Sequence, residues 1–171
     1  MKELRYATVN RVTELWDEAR LTDPQFDVNF GMNALDRVFE LQPKARELFG
    51  FDPSTPLSSD KSDDKDSNPH KRVQFHAKSL LGLFDSILQM ICTDVDFLEG
   101  VLDNLGRQHR SMGVPPSYFA YMGRGIQHRL EVSMQRPFND MEKHAWFEIF
   151  EEINGQLLKA ALVKLDEQVE I

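Results

Sequence analysis

The sequence contains almost no cysteine. Cys92 is the single cysteine among 171 residues, so the chain cannot form an internal disulfide. The preceding residues, 88–91, are mostly apolar, whereas a reactive thiol needs exposure and nearby positive charge. We therefore predict that Cys92 is a buried structural thiol. Since disulfides persist in oxidising compartments, the composition also favours a reducing compartment, and we expect the cytoplasm.

The chain also lacks a long apolar run and an excess of basic residues. No segment approaches the roughly 20 apolar residues that a membrane-spanning helix needs. Residues 1–6 lack the apolar core of a signal peptide. The chain has 20 lysines and arginines against 28 aspartates and glutamates, a net charge of -8. We therefore expect neither a membrane protein nor a nucleic-acid-binding protein.

Apolar residues recur instead with helical spacing. The length suits one domain of about 100–200 residues. A hydrophobic content of 41%, with 12 phenylalanines and 2 tryptophans, supports one large core with room for a bulky apolar ligand. No stretch alternates as a strand would, so we predict an all-α fold and a single domain over residues 1–171. Residues 52–68 contain one apolar residue, Leu57, among many serines and aspartates, and we expect a mobile acidic insertion there.

Prolines, glycines and capping residues divide the chain into about seven helical segments. Asp23 is a good N-cap and Pro24 suits the first helical position, so both predict the start of the second helix. In the last helix, Met141 is assigned to the apolar side. The predicted segments are approximately residues 4–20, 23–41, 44–49, 68–92, 94–109, 115–136 and 139–165.

Two histidines lie on apolar helical stripes. His76 shares a face with Leu80 and Phe84, and His109 shares one with Leu102. An imidazole in such a place needs a polar partner or a metal. A single one would most often be a hydrogen-bonded core residue. Two of them in one helical hairpin suggest a haem iron held between them.

These segments together resemble the globin family, most closely its neuroglobin-like members. Residues 73–84 resemble the globin E helix with its distal histidine, and residues 102–114 resemble the F helix with its proximal histidine. The two histidines are 33 residues apart (109 − 76), about the separation that the family uses. Further matching positions are Trp16, Leu35, Phe49, Leu80, Val114, Phe119 and Trp146. The resemblance implies a globin fold whose helices pack around haem b between the E and F helices.

The resemblance also implies which residues form the site. The expected haem-binding residues are Leu35, Phe49, Phe51, His76, Leu80, Leu105, His109, Arg110, Val114 and Phe119. His109 would be the proximal iron ligand, with its second ring nitrogen donating to a nearby backbone carbonyl or hydroxyl. His76 would either hydrogen-bond a bound ligand or serve as the sixth iron ligand.

The remaining charged and imidazole side chains receive other roles. Candidates to bind the haem propionates are Arg72, Lys78 and Arg110. We expect His70, in the loop, and His128 and His144, outside the faces that would meet iron, not to be ligands.

The function predicted from the resemblance is reversible binding of O2, CO and NO, with iron held by both histidines at rest. One alternative is a redox role: NO dioxygenation, nitrite reduction or electron transfer. Because the sequence shows no flavin or nicotinamide domain, such turnover needs an external reductase. A second alternative is a gas or redox sensor that signals to a protein partner through the 52–68 segment. A helical interaction module without haem is a further alternative. We expect a monomer or a weak homodimer.

Overall fold

The computed structural model describes residues 4–52 and 68–162, and all regular secondary structure within this part is helical. This confirms the all-α prediction. The predicted mobile segment falls almost wholly between the two described ranges, and the predicted end of the last helix lies beyond them. The single domain over residues 1–171 remains a prediction.

Within the described ranges, six α-helices and two short 3₁₀ helices follow one another. The α-helices are α1 (Tyr6–Thr22), α2 (Phe26–Leu41), α3 (Asn68–Met90), α4 (Val95–Ser111), α5 (Phe119–Met134) and α6 (Asp140–Leu162). The 3₁₀ helices are Pro43–Phe49, which follows α2, and Pro116–Tyr118, which leads into α5. None of the described helices is long and apolar enough to cross a membrane.

The ends of two helices show how side chains compete with the backbone. The Asp94 side chain accepts a hydrogen bond from the backbone N–H of Phe97 at 3.1 Å, which confirms the predicted start of α4. The predicted start of the second helix at Asp23 is wrong, because α2 begins at Phe26. The Asp23 carboxylate instead accepts from the Gln25 backbone N–H at 2.8 Å and closes a turn ahead of the helix.

The prediction of a buried thiol is also wrong, since Cys92 is exposed. Helix α3 ends at Met90, and Ile91 is the last buried member of its apolar stripe. Cys92 therefore falls in the turn before α4, where helical periodicity no longer determines burial. The assignment of Met141 to the apolar side is wrong too: Met141 is 67% exposed and faces solvent from the first turn of α6, while its neighbour Glu142 is buried.

The helices cross closely enough to enclose one large apolar core. Helix α2 packs against α3 and α5, while α6 packs against α4 and α1. A Cβ atom added to Gly31 of α2 would lie 2.0 Å from the carbonyl oxygen of Ala77 in α3. Only glycine permits this crossing, which sets the position of α3 one residue from His76.

Replacing Gly31 by alanine therefore tests the α2–α3 crossing. The new methyl group meets backbone rather than a flexible side chain, so the helices must separate. We expect Gly31→Ala to lower the free energy of unfolding by about 1–3 kcal/mol in urea titrations.

The matched control is Gly82→Ala, also in a helix. No atom lies within 4 Å of a Cβ at Gly82, so we expect no loss and a gain of up to about 1 kcal/mol from helix propensity. Equal stability of the two variants would show that the close approach of Gly31 does not constrain the fold.

Candidate functional site

A cavity of about 640 Å³ opens between the helices. Its walls come from α2, α3, α4, α5, α6 and both 3₁₀ helices, and most lining side chains are apolar. This volume lies within the roughly 300–1,000 Å³ of small-molecule and cofactor sites. The polar side chains in the lining are Arg72, His76, Ser79, Gln108, His109 and Tyr118.

Two imidazole rings face each other across this cavity. The ring centres of His76 on α3 and His109 on α4 are 6.0 Å apart, and the ring planes are inclined by 73°. Phe49 packs against the His76 ring at 5.6 Å between ring centres, and Phe119 packs against the His109 ring at 5.5 Å. Each histidine is therefore held in place by an aromatic side chain of the wall.

A backbone carbonyl determines which ring nitrogen of neutral His109 carries the proton. Its Nδ1 lies 2.9 Å from the carbonyl oxygen of Leu105, one helical turn earlier. Since the carbonyl can only accept, Nδ1 carries the proton and donates. In the neutral ring this leaves Nε2 with a free lone pair, the form that binds metals. The expected hydrogen bond to a carbonyl is thus present.

The surroundings of His76 keep its ring neutral. Burial in the apolar cavity, followed by the repulsion of His109, lowers the pKa of the His76 imidazole to about 4. Among the described residues none forms a hydrogen bond with this ring. As far as the described residues show, the site therefore holds a neutral imidazole whose ring nitrogens are open to a ligand.

The described residues fit a haem group. His76 and His109 would hold its iron, since each imidazole offers a ring nitrogen as a metal ligand and the ring centres are 6.0 Å apart. In the described part of the chain no three His, Cys, Asp or Glu side chains could hold a metal ion alone. An ion between these imidazoles thus needs further ligands, which a porphyrin ring supplies.

Solvent reaches the cavity at one edge. Phe75 and Met112 line the cavity and yet are 76% and 62% exposed, so they mark its mouth. Arg72 lines the same region and is exposed. An apolar slot with a cation at a wet mouth suits a flat ring that carries two carboxylates.

The structure brings eight of the ten predicted site residues together on the cavity wall. These are Leu35, Phe49, His76, Leu80, Leu105, His109, Val114 and Phe119. Phe51 and Arg110 do not line the cavity. Phe51 packs instead against the His70 ring at 5.1 Å, with the guanidinium of Arg46 5.3 Å from its ring centre. Of the three candidate propionate partners only Arg72 is on the wall, and neither Lys78 nor Arg110 is.

The other histidines do not line the cavity. His128 and His144 are exposed. His70 lies in the first turn of α3 rather than in the loop where the sequence analysis placed it, because α3 already begins at Asn68.

A second set of wall residues was not predicted from the sequence. Phe150, Ile153 and Leu157 of α6 line the cavity, and their helical spacing is a signal that could have identified them. Gln108 and Met112 at the mouth carry no such signal, since their position depends on how α4 is rotated about its axis. Further lining residues that were not predicted are Val38, Phe39, Ala45, Leu48, Phe75, Ser79, Leu83, Phe84, Ile87, Leu102, Tyr118, Met122 and Ile126.

Comparison with known proteins places these features in a family. The Globin family model matches residues 32–157. The chain is 28% identical over 123 residues to neuroglobin from Tetraodon nigroviridis and 25% identical over 123 residues to neuroglobin from Danio rerio. Both alignments cover 72% of this chain and 73% of the relative.

Solved structures share the fold. The Drosophila melanogaster globin superposes with a TM-score of 0.71 at 16% identity, covering 91% of this chain and 94% of that chain. The hexacoordinated haem protein from an anhydrobiotic tardigrade has a TM-score of 0.70 at 17% identity, covering 92% and 95%.

The lowered pKa of His76 predicts a pH-dependent stability for protein prepared without any cofactor. The unfolded chain binds a proton at this residue near pH 6.5 and the folded chain only near pH 4. Between these values the unfolded state binds more protons, so stability falls as the pH falls through this window. The expected loss from this residue is on the order of 3 kcal/mol.

Urea unfolding at several pH values between 7 and 4 measures this loss. His76→Leu should weaken the dependence and leave only the part due to carboxylates such as Glu142, whose pKa is lowered by Arg136. His128→Leu, which changes an exposed histidine, should keep the full dependence. A His76→Leu variant with the wild-type pH dependence would refute the burial of a neutral His76.

Proposed function

This chain belongs to the globin family, and we propose from this premise that it binds haem b in the cavity, with His109 as proximal ligand and His76 as sixth ligand at rest. The observation that carries the proposal is the pair of opposed imidazoles 6.0 Å apart. Haem would supply an iron centre that takes up O2, CO or NO and changes oxidation state.

His109 is the fixed ligand in this proposal. Its hydrogen bond to the Leu105 carbonyl and its contact with Phe119 orient the ring and place the proton of the neutral tautomer on Nδ1. A hydrogen bond to the far nitrogen also raises the basicity of the ligating nitrogen. Both effects favour a permanent bond from this side.

His76 is the displaceable ligand. It packs edge-on against Phe49 and forms no hydrogen bond with the described residues, so its departure breaks only weak contacts. An incoming gas molecule competes with this imidazole. The apparent affinity is therefore the intrinsic affinity multiplied by the fraction of time that the sixth position is open. We therefore propose reversible binding of O2, CO and NO, tuned by the His76 side chain.

A redox role is the second candidate. Turnover of nitrite or NO, or electron transfer, needs electrons from outside the cavity. Two stacked rings favour such a role: Phe84 lines the cavity, and Trp16, which stacks on it, donates a hydrogen bond to the partly exposed Asp85.

Absorption spectra of the ferrous, ligand-free protein test the sixth ligand. Wild-type protein should show sharp paired visible bands, and His76→Leu should show one broad band because the sixth position is then open. His128→Leu changes an exposed histidine and should keep the paired bands. A six-coordinate spectrum that survives His76→Leu would disprove the role of His76.

Haem retention tests the proximal ligand. His109→Ala removes the oriented nitrogen and should lower haem affinity by more than about tenfold, measured by transfer of haem to an acceptor protein. The far-ultraviolet circular dichroism should stay helical. The control His144→Ala should retain haem. If purified wild-type protein is colourless and does not take up added hemin, the proposed function is wrong.

A further inference from the structure

Three large apolar side chains around the cavity mouth are exposed to solvent. They are Leu48 in the first 3₁₀ helix, Phe75 on α3 and Met112 at the C-cap of α4, and all three line the opening of the same cavity. Phe75 is the most exposed of them, at 76%. Exposed apolar groups that surround one opening mark an interaction site rather than a scattered surface.

Positively charged side chains surround Phe75 on α3. Lys71, Arg72 and Lys78 lie four residues before, three before and three after Phe75, so they share its side of the helix. All three are exposed, whereas the opposite side of α3 is apolar and buried. We call Leu48, Phe75 and Met112, together with these three basic residues, the mouth face.

The charge of the mouth face differs from that of the whole chain. Residues 68–84 and 104–130 contain no aspartate or glutamate, although the chain has 28 of them and a net charge of -8. Arg110, in the last turn of α4, adds positive charge beside Met112, and Glu47, next to Leu48, opposes it with one negative charge. An anionic surface therefore repels the protein except through this face, which would fix its orientation.

The outer side of α3 beyond Phe75 is smooth. Ser79, Gly82 and Ser86 are exposed and small, and no atom lies within 4 Å of a Cβ at Gly82. The Ser79 hydroxyl donates to the Phe75 carbonyl at 3.0 Å and the Ser86 hydroxyl to the Gly82 carbonyl at 2.9 Å, so neither proton points to a partner. A folded protein partner needs matching shape and direct hydrogen bonds, whereas a bilayer needs neither. The smooth surface therefore favours a membrane as the occupant.

We propose that the mouth face binds the surface of membranes that contain anionic phospholipids. Leu48, Phe75 and Met112 lie at the level of the headgroups, and the basic side chains reach the lipid phosphates and carboxylates. The protein lies on the membrane, and none of its described helices is able to cross it. Net charge and apolar runs alone predicted no membrane contact, because neither shows how charges are arranged around one helix.

This contact goes beyond the proposed function and does not depend on a cofactor. It turns the cavity mouth toward the bilayer, where apolar gases such as O2 and NO dissolve better than in water. If the proposed function is correct, the haem site receives these ligands from the lipid phase.

Sedimentation of the full-length protein with lipid vesicles tests the proposal. One set of vesicles is phosphatidylcholine alone, and the other contains about 30% phosphatidylserine. We expect binding to the anionic vesicles at about 0.05 M salt, at least tenfold weaker binding at about 0.5 M salt, and at least tenfold weaker binding to phosphatidylcholine alone.

A charge reversal tests the basic residues of the mouth face. Lys78 does not line the cavity, so Lys78→Glu changes the face and leaves the wall intact. This variant should bind anionic vesicles more than about tenfold more weakly than the wild type. The matched control Lys143→Glu makes the same charge change on α6, away from the mouth, and should bind as the wild type does.

An aromatic truncation tests the apolar residues. Phe75→Ala should lower vesicle affinity by about tenfold at both salt concentrations, because the lost contact is apolar and is not screened. The matched control is Phe147→Ala, which removes a ring that is 62% exposed on α6 and does not line the cavity. It should bind as the wild type does, and circular dichroism shows that each variant is folded.

The remaining outcomes overturn one proposal or the other. Equal binding to neutral and anionic vesicles, or binding that is unchanged in Lys78→Glu and in Phe75→Ala, refutes the membrane contact. Absence of vesicle binding together with Lys78-dependent binding to polyglutamate, a soluble polyanion, assigns the face to an acidic protein and also refutes it. Protein that binds anionic vesicles but no haem refutes the proposed function and leaves the membrane contact standing.

Discussion

The site depends on two imidazoles held at a fixed distance inside an apolar cavity. That distance is set by backbone contacts outside the cavity rather than by the histidines themselves. Gly31 lets α2 approach the Ala77 carbonyl of α3, and Gly106 lets α4 approach α6, where an added Cβ would lie 2.6 Å from the Leu157 carbonyl oxygen. Because both contacts involve backbone atoms, they resist adjustment. The two rings therefore face each other on helices that cannot easily move apart.

The two histidines have identical side chains but different contacts in the apolar wall. His109 has a carbonyl partner, so its tautomer and orientation are fixed. His76 has only an aromatic contact, and burial keeps it neutral. A metal between them would be bound firmly on one side and exchangeably on the other. The asymmetry follows from one hydrogen bond, since most of the side chains that line the cavity are apolar.

Periodicity in the sequence was sufficient for the helices and for the two opposed histidines, because a buried stripe repeats over several turns. Periodicity did not predict the direction of a side chain where no repeated stripe includes that residue. Successive residues of a helix are rotated by about 100°, so Arg110 cannot point where His109 points, and Lys78 faces away from His76. At helix ends the pattern stops, which explains the errors at Cys92 and Asp23. Similarity to a family places residues along the chain but does not give their rotation about the helix axis.

Sequence patterns also do not predict how aromatic rings pack against one another. Beside the cavity four rings are stacked in the order Phe150, Trp146, Phe84 and Trp16. Apolar spacing predicts that Phe84 is buried, but it does not distinguish a stacked ring from an edge-on ring. Asp85, the next residue, lies outside the stripe and would be assigned to solvent. In the structure α3 directs Phe84 to the cavity wall and Asp85 to the indole N–H of Trp16. Two adjacent residues of one helix thus connect the cavity wall to a partly exposed ion pair, because successive side chains of a helix point in directions about 100° apart.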